Sequence, residues 1–217
     1  MAIERDELKK IVDILLDFKG KMVEEYCSNR LKDRMDPYSI LEELSQGLDE
    51  IGRGYEDKEF KRYFTSDLMV SGRNMKRAID LLRPHIEKGK VESRGRVVVG
   101  TVKGDVHDIG KMIFSITLES NGFEVLDLGV DVDKVVFVRK VEEVKPDILA
   151  MSSLLSSTVS YMREVVEELE KKGLRKMVKV IVGGRAVTEE YAKEIGVDAY
   201  GRDAIDGLRK CIHMVEG

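Results

Sequence analysis

The sequence predicts an α/β protein in two parts: an N-terminal four-helix bundle, then a doubly wound parallel sheet of five strands. Three observations point there. Apolar residues recur at helical spacing through the first 88 or so positions. From Val97 onward, short β-branched runs alternate with amphipathic stretches. Between the two patterns lies a polar tract, Lys88 to Gly95, that holds two glycines and reads as a linker. The expected domains are therefore residues 1–90 and 91–217. Hydrophobic residues make up 42% of the 217 and charged residues 36%, enough for a real core under a well-solvated surface.

In the first part, Leu8, Ile11, Val12, Leu15 and Leu16 mark one helix. Lys21 to Leu31 supplies a second after Gly20. Ile40, Leu41, Leu44, Leu48 and Ile51 mark a third, and Asp36-Pro37 forms a good N-cap and first-turn pair for it. Leu68, Gly72, Met75, Ile79 and Leu82 mark a fourth, ended by Pro84 and Lys88-Gly89-Lys90. Four helices of about 12 to 28 residues with short connections suggest a small bundle. In the second part, strands are expected at Val97–Gly100, Phe123–Leu128, Ile148–Met151, Val178–Val182 and, weakly, Ala199-Tyr200. Helices are expected at Ile109–Ser120, Lys134–Val144, Val159–Lys172, Thr188–Ile195 and Ala204–Val215. Continuous apolar strands alternating with helices mean a parallel sheet covered on both faces. Five such units in about 125 residues fit a flavodoxin-like (Rossmann-like) order, 2-1-3-4-5.

Composition excludes several classes. The net charge is −4 and no basic patch is visible, so a nucleic-acid partner is not expected. No apolar run approaches the ~20 residues that cross a bilayer, so no membrane association is expected. The start, Met1 to Asp6, is charged and lacks a signal-peptide core. Cys27 and Cys211 are far apart with no CxxC, as in reduced thiols of a cytoplasmic protein. Lys111-Met112 does not end a P-loop, and no GxGxxG is present. His85 and His213 sit at helix ends and read as structural or surface residues.

Ligands on such sheets bind beyond the carboxyl ends of the strands, at the switch point between strands one and three. The loop after strand one carries Asp105-Val106-His107-Asp108-Ile109-Gly110. A neutral imidazole is a good ligand for a soft-to-borderline metal. A carboxylate two residues earlier can accept the other ring N–H, which fixes the tautomer and raises ligand basicity. Gly110 lets a bulky group approach the backbone as the helix opens. Alone, the triplet also reads as an ordinary solvent-exposed loop histidine. The loop after strand three, Ser152 to Thr158, is rich in hydroxyls. It reads equally as a polar pocket wall or as N-caps for the next helix from Ser157 or Thr158. After strand four comes Gly183-Gly184, which suggests a ligand or another backbone lying against it, or a common left-handed turn. Tyr200 ends strand five, and Gly201 and Asp203 follow it.

The combination is more specific. Gly110 is followed by 41 residues, then Ser152-x-Leu154, then 28 residues, then Gly183-Gly184. This resembles the Asp-x-His-x-x-Gly … Ser-x-Leu … Gly-Gly signature of the cobalamin-binding domain, with both gaps as that family has them. Asp127-Leu128-Gly129-Val130, Lys145-Pro146-Asp147 and Gly196 to Tyr200 look like corrinoid-protein sequence too. The helical part resembles the cap of the same family, as in methionine synthase and small corrinoid proteins of C1 metabolism, through Gly47 to Gly52 and Phe64 to Met75. It departs from the family where Thr65-Ser66-Asp67-Leu68 replaces Leu-Pro-Glu-Leu and where Asp57 to Arg62 is longer.

The resemblance implies a cobalamin or related corrinoid working through a methyl-Co(III)/Co(I) cycle. His107 would be the lower axial ligand of cobalt, held by Asp105, with Thr158 completing the relay. Ser152 and Leu154 would line the tail pocket, with Ser156 near the tail base. Gly183 and Gly184 would let the tail pass the backbone. Val106, Asp108, Ile109, Gly110, Tyr200, Gly201 and Asp203 complete the expected cofactor contacts, and the cap would shield the methyl group. The implied function is a non-catalytic methyl carrier. It would serve a substrate-specific corrinoid methyltransferase and a second methyltransferase acting on a thiol or folate-like acceptor, with a reductive activation protein as a further partner. Two alternatives are the small subunit of an adenosylcobalamin mutase, which usually lacks a cap, and a cobalamin-dependent sensor, which usually carries a DNA-binding module.

Overall fold

A computed structural model describes residues 4–57, 60, 62–86 and 93–216. It divides into two compact units, Met1–Glu87 and Lys88–Gly217. The expected boundary at 90/91 and most of the linker, 88–92, lie outside the described residues.

The first unit is four helices: α1 (Arg5–Leu15), α2 (Lys21–Lys32), α3 (Pro37–Glu56) and α4 (Thr65–Leu82). They run 11 to 20 residues, shorter than the upper end expected, because Asp57 turns away after α3 and a 3-10 turn, Arg83–His85, ends α4 at Pro84. Asp36 caps α3 as its side chain accepts the Ser39 N–H at 3.1 Å, and Pro37 opens the first turn. Ile11, Leu15, Ile40, Leu44, Met75 and Ile79 are fully buried. Gly47 allows α1 and α3 to meet, since a Cβ there would stand 2.5 Å from the Ile11 side chain. Asn74 reaches from α4 to donate to the Leu15 and Asp17 carbonyls at 2.9 and 2.8 Å, satisfying the open end of α1.

The second unit runs β1 (Gly95–Thr101), α5 (Ile109–Ser120), β2 (Phe123–Asp127), α6 (Lys134–Val144), β3 (Ile148–Ser152), α7 (Tyr161–Lys171), β4 (Lys179–Gly183), α8 (Glu189–Glu194), β5 (Ala199–Gly201) and α9 (Ala204–Glu216). All pairings are parallel, in the order β2-β1-β3-β4-β5. Side chains alternate across the sheet. Val98, Leu149, Met151, Val180 and Val182 face α6, α7 and α8 through Phe137, Val166, Leu169 and Ala192. Val97, Val99, Ile148, Ala150 and Ile181 face α5 and α9 through Leu118, Leu208 and Cys211.

Two expectations need correction. β2 is not covered on both faces: it is an edge strand, and Glu124, Leu126 and Asp127 are exposed. Neither Ser157 nor Thr158 caps the next helix. α7 starts two residues later than expected, after Ser160, because a hydrogen-bonded turn from Leu155 to Tyr161 intervenes and takes up the Thr158 hydroxyl.

Candidate functional site

β1 lies between β2 and β3, and the chain leaves its carboxyl end over one face while the loop from β3 leaves over the other. The two loops meet on the Asp105 carboxylate. It is fully buried, and Oδ1 accepts both the His107 backbone N–H at 2.9 Å and the His107 ring Nδ1 at 2.7 Å. Oδ2 accepts from the β3 loop: the Leu154 N–H at 2.7 Å, the Leu155 N–H at 3.4 Å and the Thr158 hydroxyl at 3.4 Å. Burial works to raise the Asp105 pKa, but the His107 and Leu154 N–H groups and the His107 ring outweigh it and hold the carboxyl below its ordinary value. An ionised Asp105 can only accept, so Nδ1 carries a proton and Nε2 is the ring atom turned away from the carboxylate. The His107 side chain remains 47% exposed.

The loop itself is braced. The Thr101 hydroxyl donates to the His107 carbonyl at 3.0 Å. Asp131, in the left-handed region at φ +54°, accepts the Gly104 N–H at 2.7 Å and donates its own N–H to the Asp105 carbonyl at 2.9 Å. Lys103 pairs with Asp133 at 2.6 Å. At the start of α5, Lys111 is buried against Asp127 from the end of β2.

Around the imidazole the surface is apolar and open. Val106, Leu154 and Leu155 are exposed. Asp108 precedes α5, Ile109 opens it, and a Cβ built on Gly110 would meet nothing within 4 Å. Among the described residues no cluster of three or more His, Cys, Asp or Glu side chains could hold a bare metal ion. One oriented imidazole beside exposed apolar side chains, with open space at Gly110, instead suits a metal that arrives in a large flat ligand supplying its other donors. The residues present therefore fit a corrinoid.

The other candidates fall in three places. Ser152 ends β3, and its carbonyl accepts the Val102 N–H at 3.1 Å, tying the two loops together. Ser156 is exposed in the turn before α7. A Cβ on Gly184, at φ +111°, would fall 2.1 Å from the Ser153 carbonyl oxygen, and one on Gly183 3.0 Å from that of Gly201. Neighbouring backbone is thus already a sufficient reason for the glycine pair. Tyr200 and Gly201 lie in β5 and Asp203 just after it, three strand spacings or about 14 Å from the β1 loop. Asp203 caps α9, accepting the Asp206 N–H at 2.7 Å.

Thr101, Asp131 and Ser153 belong to the site and were not singled out from sequence. Ser153 is fully buried, and its hydroxyl lies 2.9 Å from that of Thr158 and 3.5 Å from Asp105 Oδ2. The signal for it was the hydroxyl-rich run itself; which hydroxyl turns inward depends on where the strand ends.

Comparison with known proteins places the chain among B12 binders along its length. One family model described as a B12 binding domain matches residues 95–209, and a second of the same description matches residues 7–83. The chain is 35% identical to trimethylamine corrinoid protein 1 of Methanosarcina acetivorans over 213 residues, 97% of each chain. Its structure is similar to the Methanosarcina barkeri monomethylamine corrinoid protein, with a TM-score of 0.87 at 27% identity over 97% of this chain and 99% of the other. It is also similar to a chain of the methanol:cobalamin methyltransferase complex MtaBC from the same organism, with a TM-score of 0.55 at 25% identity over 99% of this chain and 81% of that one.

Proposed function

The chain belongs to the B12-binding domain family, and from that premise we propose that it is a corrinoid protein that carries a methyl group between methyltransferases. The observation that carries this reading is the Asp105–His107 pair, Nδ1 to Oδ1 at 2.7 Å, at the switch point of the sheet. When bound, the corrinoid supplies a cobalt that accepts and releases the methyl group.

The protein's residues do the rest. His107 would hold the metal through Nε2. Asp105 fixes the tautomer and, by accepting a hydrogen bond from Nδ1–H, makes the ring a stronger donor. Thr158, the Leu154 N–H and the Leu155 N–H hold the carboxylate in place from the β3 loop. Val106 and Leu155 give the macrocycle an apolar seat, and Leu154 lines the tail pocket with Ser152. Asp108, Ile109 and Gly110 form its rim, and Gly110 leaves room at the helix start. Ser152, Ser156, Gly183, Gly184, Tyr200, Gly201 and Asp203 define the path of the nucleotide tail. Cofactor binding belongs to residues 91–217.

The chain's first partner is a substrate-specific corrinoid methyltransferase, as the name of the methanol:cobalamin complex supports. The names of the curated relatives support a methylamine as methyl donor. A second methyltransferase acting on a thiol or folate-like acceptor would be a further partner, as would a reductive activation protein. No helix among the described residues is long and apolar enough to cross a membrane, in keeping with partners met in the cytoplasm.

The test is EPR of the Co(II) protein grown with 15N-histidine. One bound corrinoid should show a two-line nitrogen splitting from His107. That splitting should disappear in His107→Ala. A three-line pattern that ignores the label would mean that another nitrogen binds the metal, and would sink the assignment.

A further inference from the structure

We propose that Ser153 is a positioning residue for the axial histidine: its buried hydroxyl keeps the Thr158 proton aimed at Asp105 and so sets how strongly His107 binds the metal. This rests on the corrinoid reading above. It adds a residue that neither the loop motif nor the His107 contact names.

The argument is a count of protons. Ser153 Oγ lies 2.9 Å from Thr158 Oγ1, 3.3 Å from the Leu155 carbonyl and 3.5 Å from Asp105 Oδ2. Thr158 Oγ1 lies 3.1 Å from the same carbonyl and 3.4 Å from the same carboxylate oxygen. Two hydroxyls bring two protons to three acceptors: each other, one carbonyl and one carboxylate. The hydroxyl–hydroxyl contact is the shortest, so one proton is spent there. With Ser153 donating to Thr158 Oγ1, that contact fixes the Thr158 hydroxyl with its proton towards the carboxylate instead of the nearer Leu155 carbonyl. Ser153 is fully buried, so no bulk water replaces it. Ser156 and Ser157, by contrast, are exposed, and water can stand in for their hydroxyls.

Removing the Ser153 hydroxyl takes away the contact that fixes Thr158. Thr158 then turns to the Leu155 carbonyl, its nearer remaining acceptor. Asp105 loses one donor on Oδ2 while keeping the His107 ring on Oδ1. Its charge is less shared, the Nδ1–H···Oδ1 bond strengthens, and Nε2 becomes the better donor. His107 should then hold Co(II) more tightly against its loss in Co(I).

The experiment compares wild type, Ser153→Ala, Ser153→Cys, Thr158→Val and the Ser153→Ala/Thr158→Val double variant by two readouts. The first is the Co(II)/Co(I) midpoint potential of the corrinoid-loaded protein. The second is the chemical shift of the His107 Nδ1-bound proton without cofactor. Ser153→Ala should favour bound His107 by about threefold to tenfold, which at 59 mV per decade moves the potential about 28–59 mV more negative. The Nδ1 proton should move downfield. Ser153→Cys, a weaker donor, should fall between, and the alanine should change little once Thr158 is valine. A wild-type potential and proton shift in Ser153→Ala would overturn the proposal. So would an equal Ser153 effect with and without the Thr158 hydroxyl. The cofactor-free readout is independent of metal ligation, so failure of the corrinoid reading would show separately, as loss of the 15N-histidine splitting. Should alanine at 153 prevent folding, the cysteine and Thr158 variants still decide the matter.

Discussion

Two glycines of the site are required for opposite reasons. Gly184 is required by the chain itself: at φ +111° a Cβ would sit 2.1 Å from the Ser153 carbonyl oxygen. Gly184→Ala should therefore destabilise the cofactor-free protein by at least about 1–3 kcal/mol in urea unfolding. Gly110 meets no such neighbour, and at the second position of a helix alanine is the better residue. Gly110→Ala should leave the cofactor-free protein as stable or up to about 1 kcal/mol more so. It should weaken corrinoid binding by about tenfold, or about 1.4 kcal/mol, because the new methyl enters the space the macrocycle needs. Equal corrinoid affinity in Gly110→Ala and wild type would remove Gly110 from the site. The sequence marked both glycines through their spacing, yet it had no means of separating a steric demand of the backbone from one of a ligand.

At the scale of elements, the helix starts behind the sheet are anchored by carboxylates. Asp133 caps α6 by accepting the Val135 N–H at 3.0 Å. Asp133→Ala should cost about 1 kcal/mol, nearly all from the cap, since its pair with Lys103 is exposed. On α9, Asp206 is held by the Arg202 guanidinium, whose hydrogen bonds outweigh burial, and by Lys210; its pKa lies well below the usual carboxylate value near 3.8. A folded-state pKa below the unfolded one means stability that is present above pH ~4 and lost as the pH falls below it. Asp206→Asn should accordingly lower stability at pH 7 and flatten its decline between pH 4 and pH 2; an unchanged acid limb would show that Asp206 does not contribute. Periodicity and turn residues located most elements to within two residues, because burial of one face writes a period into the chain. They failed at the α7 start, where Ser157 and Thr158 have the chemistry of a cap but are drawn into a turn that faces Asp105.

At the scale of the molecule, each unit carries one buried thiol. Burial pushes Cys27 up to about 11 and Cys211 up to about 12. Neither should react with a thiol reagent in the native protein, and each should report the opening of its own unit. Corrinoid at about 100 times its Kd should protect Cys211 by about 2.7 kcal/mol in urea-dependent alkylation. A fragment of residues 93–217 contains the whole sheet and the Asp105–His107 site, and should fold and bind corrinoid by itself. Failure of the fragment to bind would assign part of the cofactor site to residues 1–92.

The sequence by itself determined the architecture, the strand order and the loop that bears His107. These are written in local patterns: hydrophobic period, β-branched runs, and a motif whose members lie within six residues, Asp105 to Gly110. The separations between motifs also identified the family. What only the tertiary structure decided is the far side of Asp105. Leu154, Leu155, Ser153 and Thr158 reach its Oδ2 from about 50 residues away, and Asp131 braces its loop from the β2 end. Ser153 and Ser156 are the same residue type three positions apart, yet one is fully buried and the other exposed. The difference arises because the β3 ladder runs one residue past Ser152, with the Ser153 N–H donating to the Gly183 carbonyl at 3.1 Å before the chain turns. That turn depends on pairing between segments about 30 residues apart, and no local pattern encodes it.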